Sequence, residues 1–268
     1  MNPTQELFQL ANTAADTRAR MQEKAIREPL RVLRQICDEV GRAWSGSNIG
    51  YHATVYYSNL QPKPPHVQFS AEWGLMDVWP THQPDPGWET MDYKDVKDYI
   101  VSRVGHDDIQ KASSALGPIR DEFVNLKENA ISILSTLLSR TPDSFLQRQF
   151  KAIEQLTVRH PQNIARQFIE GGQVFSRDTT AMTQGFSVAP HQQLSALPLA
   201  SMELEAALDN LEKATRLSAA HVARQEERQR PAMTTNTAIT ICIGHGRSPL
   251  WRELKEFLVE RLHLTGQK

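Results

Sequence analysis

The sequence is poor in cysteine, has almost no excess charge of either sign, and contains no long apolar run. Its 268 residues include only two cysteines, Cys37 and Cys242, which lie far apart within apolar patterns. Such placement predicts reduced, buried thiols in a cytosolic protein and argues against a disulfide pair or a cysteine metal site. Lys and Arg number 30 against 31 Asp and Glu, so charge gives no reason to expect a nucleic acid or an anionic membrane as the main partner.

No stretch approaches the roughly 20 apolar residues that are needed to cross a bilayer. The first residues, MNPTQELFQLANTAADTRAR, have an early acidic residue and no apolar core segment, which argues against a signal peptide. Hydrophobic residues make up 40% of the chain and charged residues 23%, which is typical of a folded globular protein. We therefore expect a cytoplasmic protein with no membrane and no nucleic acid among its partners.

Helical periodicity dominates residues 1–230. Apolar residues recur at spacings of three and four over 26–44, 96–104, 119–137 and 146–153, and each run predicts a helix. Pro29 either lies in the first turn of its helix or kinks a longer helix that begins near Thr4, whereas Pro118 is expected to start the helix over 119–137. Residues 161–170 predict a helix that Gly171 and Gly172 end. Residues 173–192 predict a loop, and 199–229 predict one long polar helix carrying Leu204, Leu208, Leu211 and Leu217.

Residues 51–74 lack this helical periodicity. YHATVYYSN at 51–59 and HVQFSAEWG at 66–74 are rich in β-branched and aromatic residues, and they are joined by a proline-rich loop. We interpret them as a β-hairpin with one buried face. The aromatic side chains could stack on a base, but the same residues are needed to pack a sheet on helices, and we favour the core interpretation. The predicted fold class is α+β and mostly α-helical.

Residues 1–230 carry no recognisable chemical motif. The histidines at 66, 82, 106 and 160 are scattered among predicted loops and helix ends, without the paired spacing of a zinc site. We expect them to be surface or capping residues, and we predict neither a metal site nor a catalytic residue there.

The segment TAITICIGHGRSPLWRELKEFLVERLHL, residues 237–264, is more specific. The apolar run 238–243 is typical of a strand buried on both faces of a parallel sheet. A glycine turn follows, Ser248 can cap the next helix, and Pro249 suits its first position. In open parallel sheets, ligands bind beyond the carboxyl ends of the strands, where helix N-termini favour phosphates. Because any βα unit can contain a glycine turn, these features alone leave nucleotide binding open.

The amino-acid sequence of this segment resembles the first strand, loop and helix of the TIR-like predicted nucleotide-binding family. That family occurs as the C-terminal effector of bacterial antiphage systems of the CBASS and Pycsar type. The match covers about one-tenth of the chain. The resemblance implies a flavodoxin-like α/β domain that binds NAD and, once assembled, cleaves its bond to nicotinamide. It also implies a nucleotide pocket lined by Gly244, His245, Gly246, Arg247 and Ser248.

The further strands of that domain, and the glutamate that its NAD cleavage requires, would follow residue 264. We therefore expect residues 1–230 to form a helical sensing or assembly domain with a β-hairpin near 51–74, residues 231–237 a linker, and residues 238–268 the truncated start of a TIR-like domain. Such a fragment, lacking the catalytic half, is expected to have no NAD glycohydrolase activity and to self-associate through its exposed strand edges. The alternative is a non-enzymatic α-helical interaction or scaffold module whose last segment completes the helical domain.

Overall fold

The computed structural model describes residues 2–76, 85–169 and 175–229, together with positions 250, 253, 256, 257 and 260. This part of the chain is mostly helical and has one small antiparallel sheet, so the predicted α+β, mostly α-helical class is confirmed at that level. Its helices are α1 Pro3–Met21, α2 Lys24–Gly41, α3 Tyr93–Val104, α4 His106–Arg140, α5 Ser144–Glu154, α6 Pro161–Gln167, α7 Thr179–Thr183 and α8 Pro190–Gln229. Within these described ranges, no helix is long and apolar enough to span a membrane.

Helix α2 follows the predicted apolar pattern, but Pro29 has neither of the roles expected for it. Ile26, Leu30, Leu33, Cys37 and Val40 are all buried along α2. The helix is interrupted at residues 22–23, between α1 and α2. Pro29 lies inside α2, beyond its first turn. The break therefore precedes the proline.

Helix α4 begins earlier than its sequence suggests. The predicted start was Pro118, yet the helix runs from His106 and Pro118 lies within it. The buried stripe begins at Ala112 and Leu116, and it continues in phase to Ile119 and Phe123. The early part of the stripe was missed because it contains small residues and only one large apolar side chain.

Helix α8 also begins earlier than predicted, at Pro190, and the predicted loop over 173–192 contains the short helix α7 as well. Leu204, Leu208 and Leu211 are buried as expected, but Leu217 is 51% exposed and does not belong to the stripe. The buried positions in that phase are Thr215 and Ser218. Their hydroxyl groups donate to the carbonyl groups of Leu211 and Ala214, which allows polar side chains to be buried there.

The sheet joins β1, Val55–Tyr57, to β2, Trp88–Thr90, with Tyr56 opposite Glu89. The predicted second strand at 66–74 is wrong, because these residues form turns closed by hydrogen bonds from Val67 N to Pro64 O and from Gly74 N to Ser70 O. Phe69 packs instead on the ring of Trp88, with 5.4 Å between the ring centroids. The apolar residues of 66–74 thus serve the core without joining the sheet.

Two apolar clusters hold most of the helices together. The larger cluster contains residues of α1, α2, α4, α5 and α8 and includes Leu7, Phe123, Leu134, Ile153 and Leu208. The second contains α2, α3 and β1 and includes Leu33, Val40, Tyr56 and Ile100.

Internal contacts divide the chain into Met1–Ala223 and Arg224–Lys268. The predicted linker at 231–237 and the predicted strand at 238–243 lie outside the described residues.

Candidate functional site

The predicted nucleotide-binding residues, Gly244 to Ser248, also lie outside the described residues, as does Cys242. Five positions farther along the chain, 250, 253, 256, 257 and 260, are helical, in agreement with the helix predicted after the glycine turn. Leu250 and Phe257 of that helix are exposed. The nucleotide pocket therefore stays a prediction.

The histidines predicted to be surface or capping residues behave accordingly where they are described. His66 and His106 are exposed, and His160 caps α6 by accepting a hydrogen bond from Gln162 N. His82 lies outside the described residues. The buried polar chemistry of the molecule lies elsewhere, at residues that sequence reasoning did not select.

Ser47, Tyr51, His52 and Asp178 form a buried polar cluster between the loop after α2 and the start of α7. His52 Nδ1 lies 3.1 Å from Ser47 Oγ, and His52 Nε2 lies 3.4 Å from Asp178 Oδ2. Tyr51 donates its hydroxyl hydrogen to the same carboxylate oxygen. The other oxygen of Asp178 caps α7 by accepting from Thr180 N at 3.0 Å and Ala181 N at 3.1 Å. One carboxylate thus joins two segments that are 126 positions apart in sequence.

The cluster holds a carboxylate that is 1% exposed. Burial opposes its ionisation, but hydrogen bonds from Tyr51, Ala181 and His52 outweigh burial and lower the pKa of Asp178. Burial is the main reason why the pKa of Tyr51 rises to about 12, and its bond to Asp178 adds to the rise. Burial lowers the pKa of His52, against the opposing effect of Asp178. At neutral pH the cluster therefore contains an ionised Asp178 and a neutral His52.

Gly74 closes this cluster from one side. Its φ of +63° lies in the left-handed region, and a Cβ at this position would overlap Asp178 Oδ2 and Tyr51 Oη and lie 2.8 Å from His52 Nε2. The next residue, Leu75, donates its backbone N–H to Tyr51 Oη at 3.0 Å. The loop backbone therefore occupies the place that a ligand of the cluster would need.

Beside this cluster, a second set of polar contacts secures the first turn of α8. Asn48 donates to Gln192 Oε1 at 2.9 Å and to Ser187 O at 2.7 Å. Tyr56 Oη lies 2.8 Å from His191 Nδ1, and both side chains are buried. The two sets together hold the segment 45–57 against residues 176–192.

Ser47, His52 and Asp178 are the residue types of a nucleophilic triad, but their arrangement serves structure. A triad needs a serine oxygen that a substrate can reach, with oxyanion donors close by. Here Ser47 is buried, and both oxygens of Asp178 are already bonded to protein groups. Where residues are described, no group of three or more His, Cys, Asp or Glu side chains could hold a metal ion.

The aromatic side chains of the predicted hairpin also belong to the core, as favoured from the sequence. Tyr56 is fully buried, and Tyr57 packs edge-on against Trp88. Phe69 packs against His52 in the same way, with 4.9 Å between the ring centroids. Tyr56 is thus part of the core, and the partly buried Tyr57 and Phe69 pack against it.

An open groove of about 430 Å³ lies between α5 and α8. Ala152, Leu156, Ala214 and Leu217 supply its apolar surface, and amide and amine groups border it.

The described site residues were not detectable from sequence, because no short motif links His52, Asp178 and His191. Comparison of the chain with protein-family models, with curated proteins and with solved structures gives no match.

Proposed function

We propose that this protein is a nucleotide-binding effector of the TIR-like kind, with NAD as its ligand and a role in antiviral defence. In this proposal residues 1–230 form the helical sensing or assembly body, and Gly244 to Ser248 bind the nucleotide. The observation that carries the proposal is the sequence ICIGHGRSPLWRELKEFLVERLHL, with its apolar strand, glycine turn and amphipathic helix.

The polar groups of the helical body support the proposal that nucleotide binding belongs to the later segment. The buried Ser47, His52 and Asp178 are engaged in mutual contacts, and the groove between α5 and α8 lacks a cluster of acid–base residues. Helix α8 extends to Gln229, a short distance in sequence before the proposed nucleotide-binding segment. A helical body of this kind can present or assemble a binding segment without taking part in its chemistry.

Titration calorimetry of the full chain with NAD tests the proposal. Arg247 follows the glycine turn and can form charge-assisted hydrogen bonds with a phosphate, so Arg247→Ala should weaken NAD binding at least tenfold. Arg252→Ala is the matched control, because it removes the same charge from the polar side of the predicted helix and should leave binding unchanged. Equal affinity in the parent protein and in the Arg247 variant would contradict the proposed pocket.

The second candidate function is a non-enzymatic interaction or scaffold module. The groove between α5 and α8, with the exposed Leu217 at its border, favours it. The same titration separates the two candidates, because the module has no reason to bind NAD. A folded chain without measurable NAD binding would favour the module.

A further inference from the structure

His191 lies at the second position of the 40-residue helix α8, where the helix meets α2 and β1. Its imidazole contacts Tyr56 through the 2.8 Å bond at Nδ1, and it packs edge-on against Trp44 with 5.2 Å between the ring centroids. The backbone of Gly41 closes a further side, because a Cβ there would lie 3.2 Å from His191 Cδ2. The side chain is 7% exposed.

The titratable group in contact with this imidazole is Tyr56, whose hydroxyl carries no charge at neutral pH. Cys37 from α2 and Tyr93 from the start of α3 act in turn on Tyr56. Burial raises the pKa of Cys37 to about 12, and it raises the pKa of Tyr56 and of Tyr93 as well. Asp38, which acts on Cys37, is exposed and pairs with Arg34 across 3.9 Å.

Among the described residues, two other partly or fully buried histidines have a carboxylate partner, whereas the shift in the pKa of His191 is caused by burial. His52 faces Asp178, and His221 Nε2 lies 2.8 Å from Asp143 Oδ2. Burial is the cause that lowers the pKa of His191 to about 4. The positive end of the α8 dipole also disfavours a cation at the first turn of this helix.

We propose that His191 is an acid-sensitive latch: protonation of its imidazole releases the first turn of α8 from Tyr56 and Trp44 while the bundle of α1, α4 and α5 stays folded. A protonated imidazole carries a charge, and Tyr56, Trp44 and the Gly41 backbone leave that charge little contact with water. Movement of the first turn of α8 away from these residues would hydrate it. The neighbouring bond between Asn48 and Gln192 should break in the same movement.

The direction and size of the effect follow from linkage. The open form binds the proton with an ordinary histidine pKa of about 6.5, and the closed form with a pKa of about 4. Opening is therefore favoured as the pH falls below about 6.5, and the effect levels off below about 4. Between pH 7 and pH 5 the opening constant should rise about twentyfold. Asp178, Glu203 and Asp209, each with a lowered pKa, titrate below this window. His52, whose pKa burial also lowers, adds its own acid-favoured opening near residue 52.

Hydrogen exchange of the full chain at pH 7 and pH 5, corrected for intrinsic exchange rates, tests the latch. Peptides covering 41–57 and 186–198 should exchange about twentyfold faster at pH 5, whereas a peptide covering 119–134 in α4 should not change. His191→Gln should remove most of the pH dependence of the peptide covering 186–198, and His66→Gln, at an exposed position, should retain it. Acceleration spread over all three peptides would overturn the proposal. So would a pH dependence that persists in His191→Gln and disappears in His52→Gln.

A direct titration keeps the test decisive if His191→Gln does not fold. The ring protons of His191 in the unaltered chain should titrate by NMR with a midpoint near 4. If His191 becomes protonated while the Tyr56 and Trp44 ring resonances keep their chemical shifts, the closed form accepts the charge without opening, and the latch would have to be abandoned. The latch does not depend on nucleotide binding, so its failure and that of the proposed NAD site can be told apart.

Discussion

Replacing Gly74 by alanine should disrupt the buried polar cluster. The new methyl group would occupy the space held by Asp178 Oδ2 and Tyr51 Oη. These two atoms belong to side chains that are fixed at their outer ends. Asp178 caps α7, and Tyr51 accepts a hydrogen bond from Leu75 N. Neither side chain can move away without leaving the carboxylate short of donors in a buried position.

The expected loss combines three effects. A non-glycine residue in the left-handed region costs about 1–2 kcal/mol. Loss of the hydrogen bond to the Asp178 carboxylate costs about 1.5–3 kcal/mol, and loss of the α7 cap about 1 kcal/mol. We therefore expect Gly74→Ala to lower the free energy of unfolding by roughly 4–6 kcal/mol.

Gly46→Ala is a matched control. Gly46 also has a positive φ, +84°, but a Cβ there would meet no atom within 4 Å. It should lose only the backbone contribution of about 1–2 kcal/mol. Urea unfolding of both variants and the parent, followed by circular dichroism, measures the difference. If Gly74→Ala is no less stable than Gly46→Ala, the cluster does not hold the loop as described.

Two further predictions concern the helices. With Cys242 replaced by serine, Cys37 should not react with Ellman's reagent at pH 8 until urea unfolds the protein. The reason is that burial raises the pKa of its thiol to about 12. Rapid labelling of the native protein would contradict this prediction. Arg18→Ala removes the ion pairs that join α1 to Asp209 and Glu212 of α8. Because Arg18 is partly exposed, the substitution should lower the free energy of unfolding by only about 1 kcal/mol. Lys94→Ala, which removes a far more exposed pair, should change the thermal midpoint less than Arg18→Ala, and the reverse order would count against this assignment.

The errors in the sequence-based prediction have identifiable causes. The segments 51–59 and 66–74 both have strand-like composition, but β1 pairs with residues 88–90. Composition favours a strand without choosing its partner, and here Val67 and Phe69 bury their side chains from turns. Leu217 was assigned to the buried stripe of α8 because it is a leucine. Its position on the helix faces away from the core, and the core phase is occupied by Thr215 and Ser218.

The sequence alone determined the helical character of the body, the buried faces of α2 and α5, and the burial of Cys37. These depend on periodicity within a single helix, which is a local property of the chain. Only the tertiary structure decided that His52 would meet Asp178, that Gly74 would cover both, and that His191 would be enclosed without a carboxylate partner. Most of these contacts join residues more than a hundred positions apart, and their geometry depends on how the elements pack rather than on any local spacing.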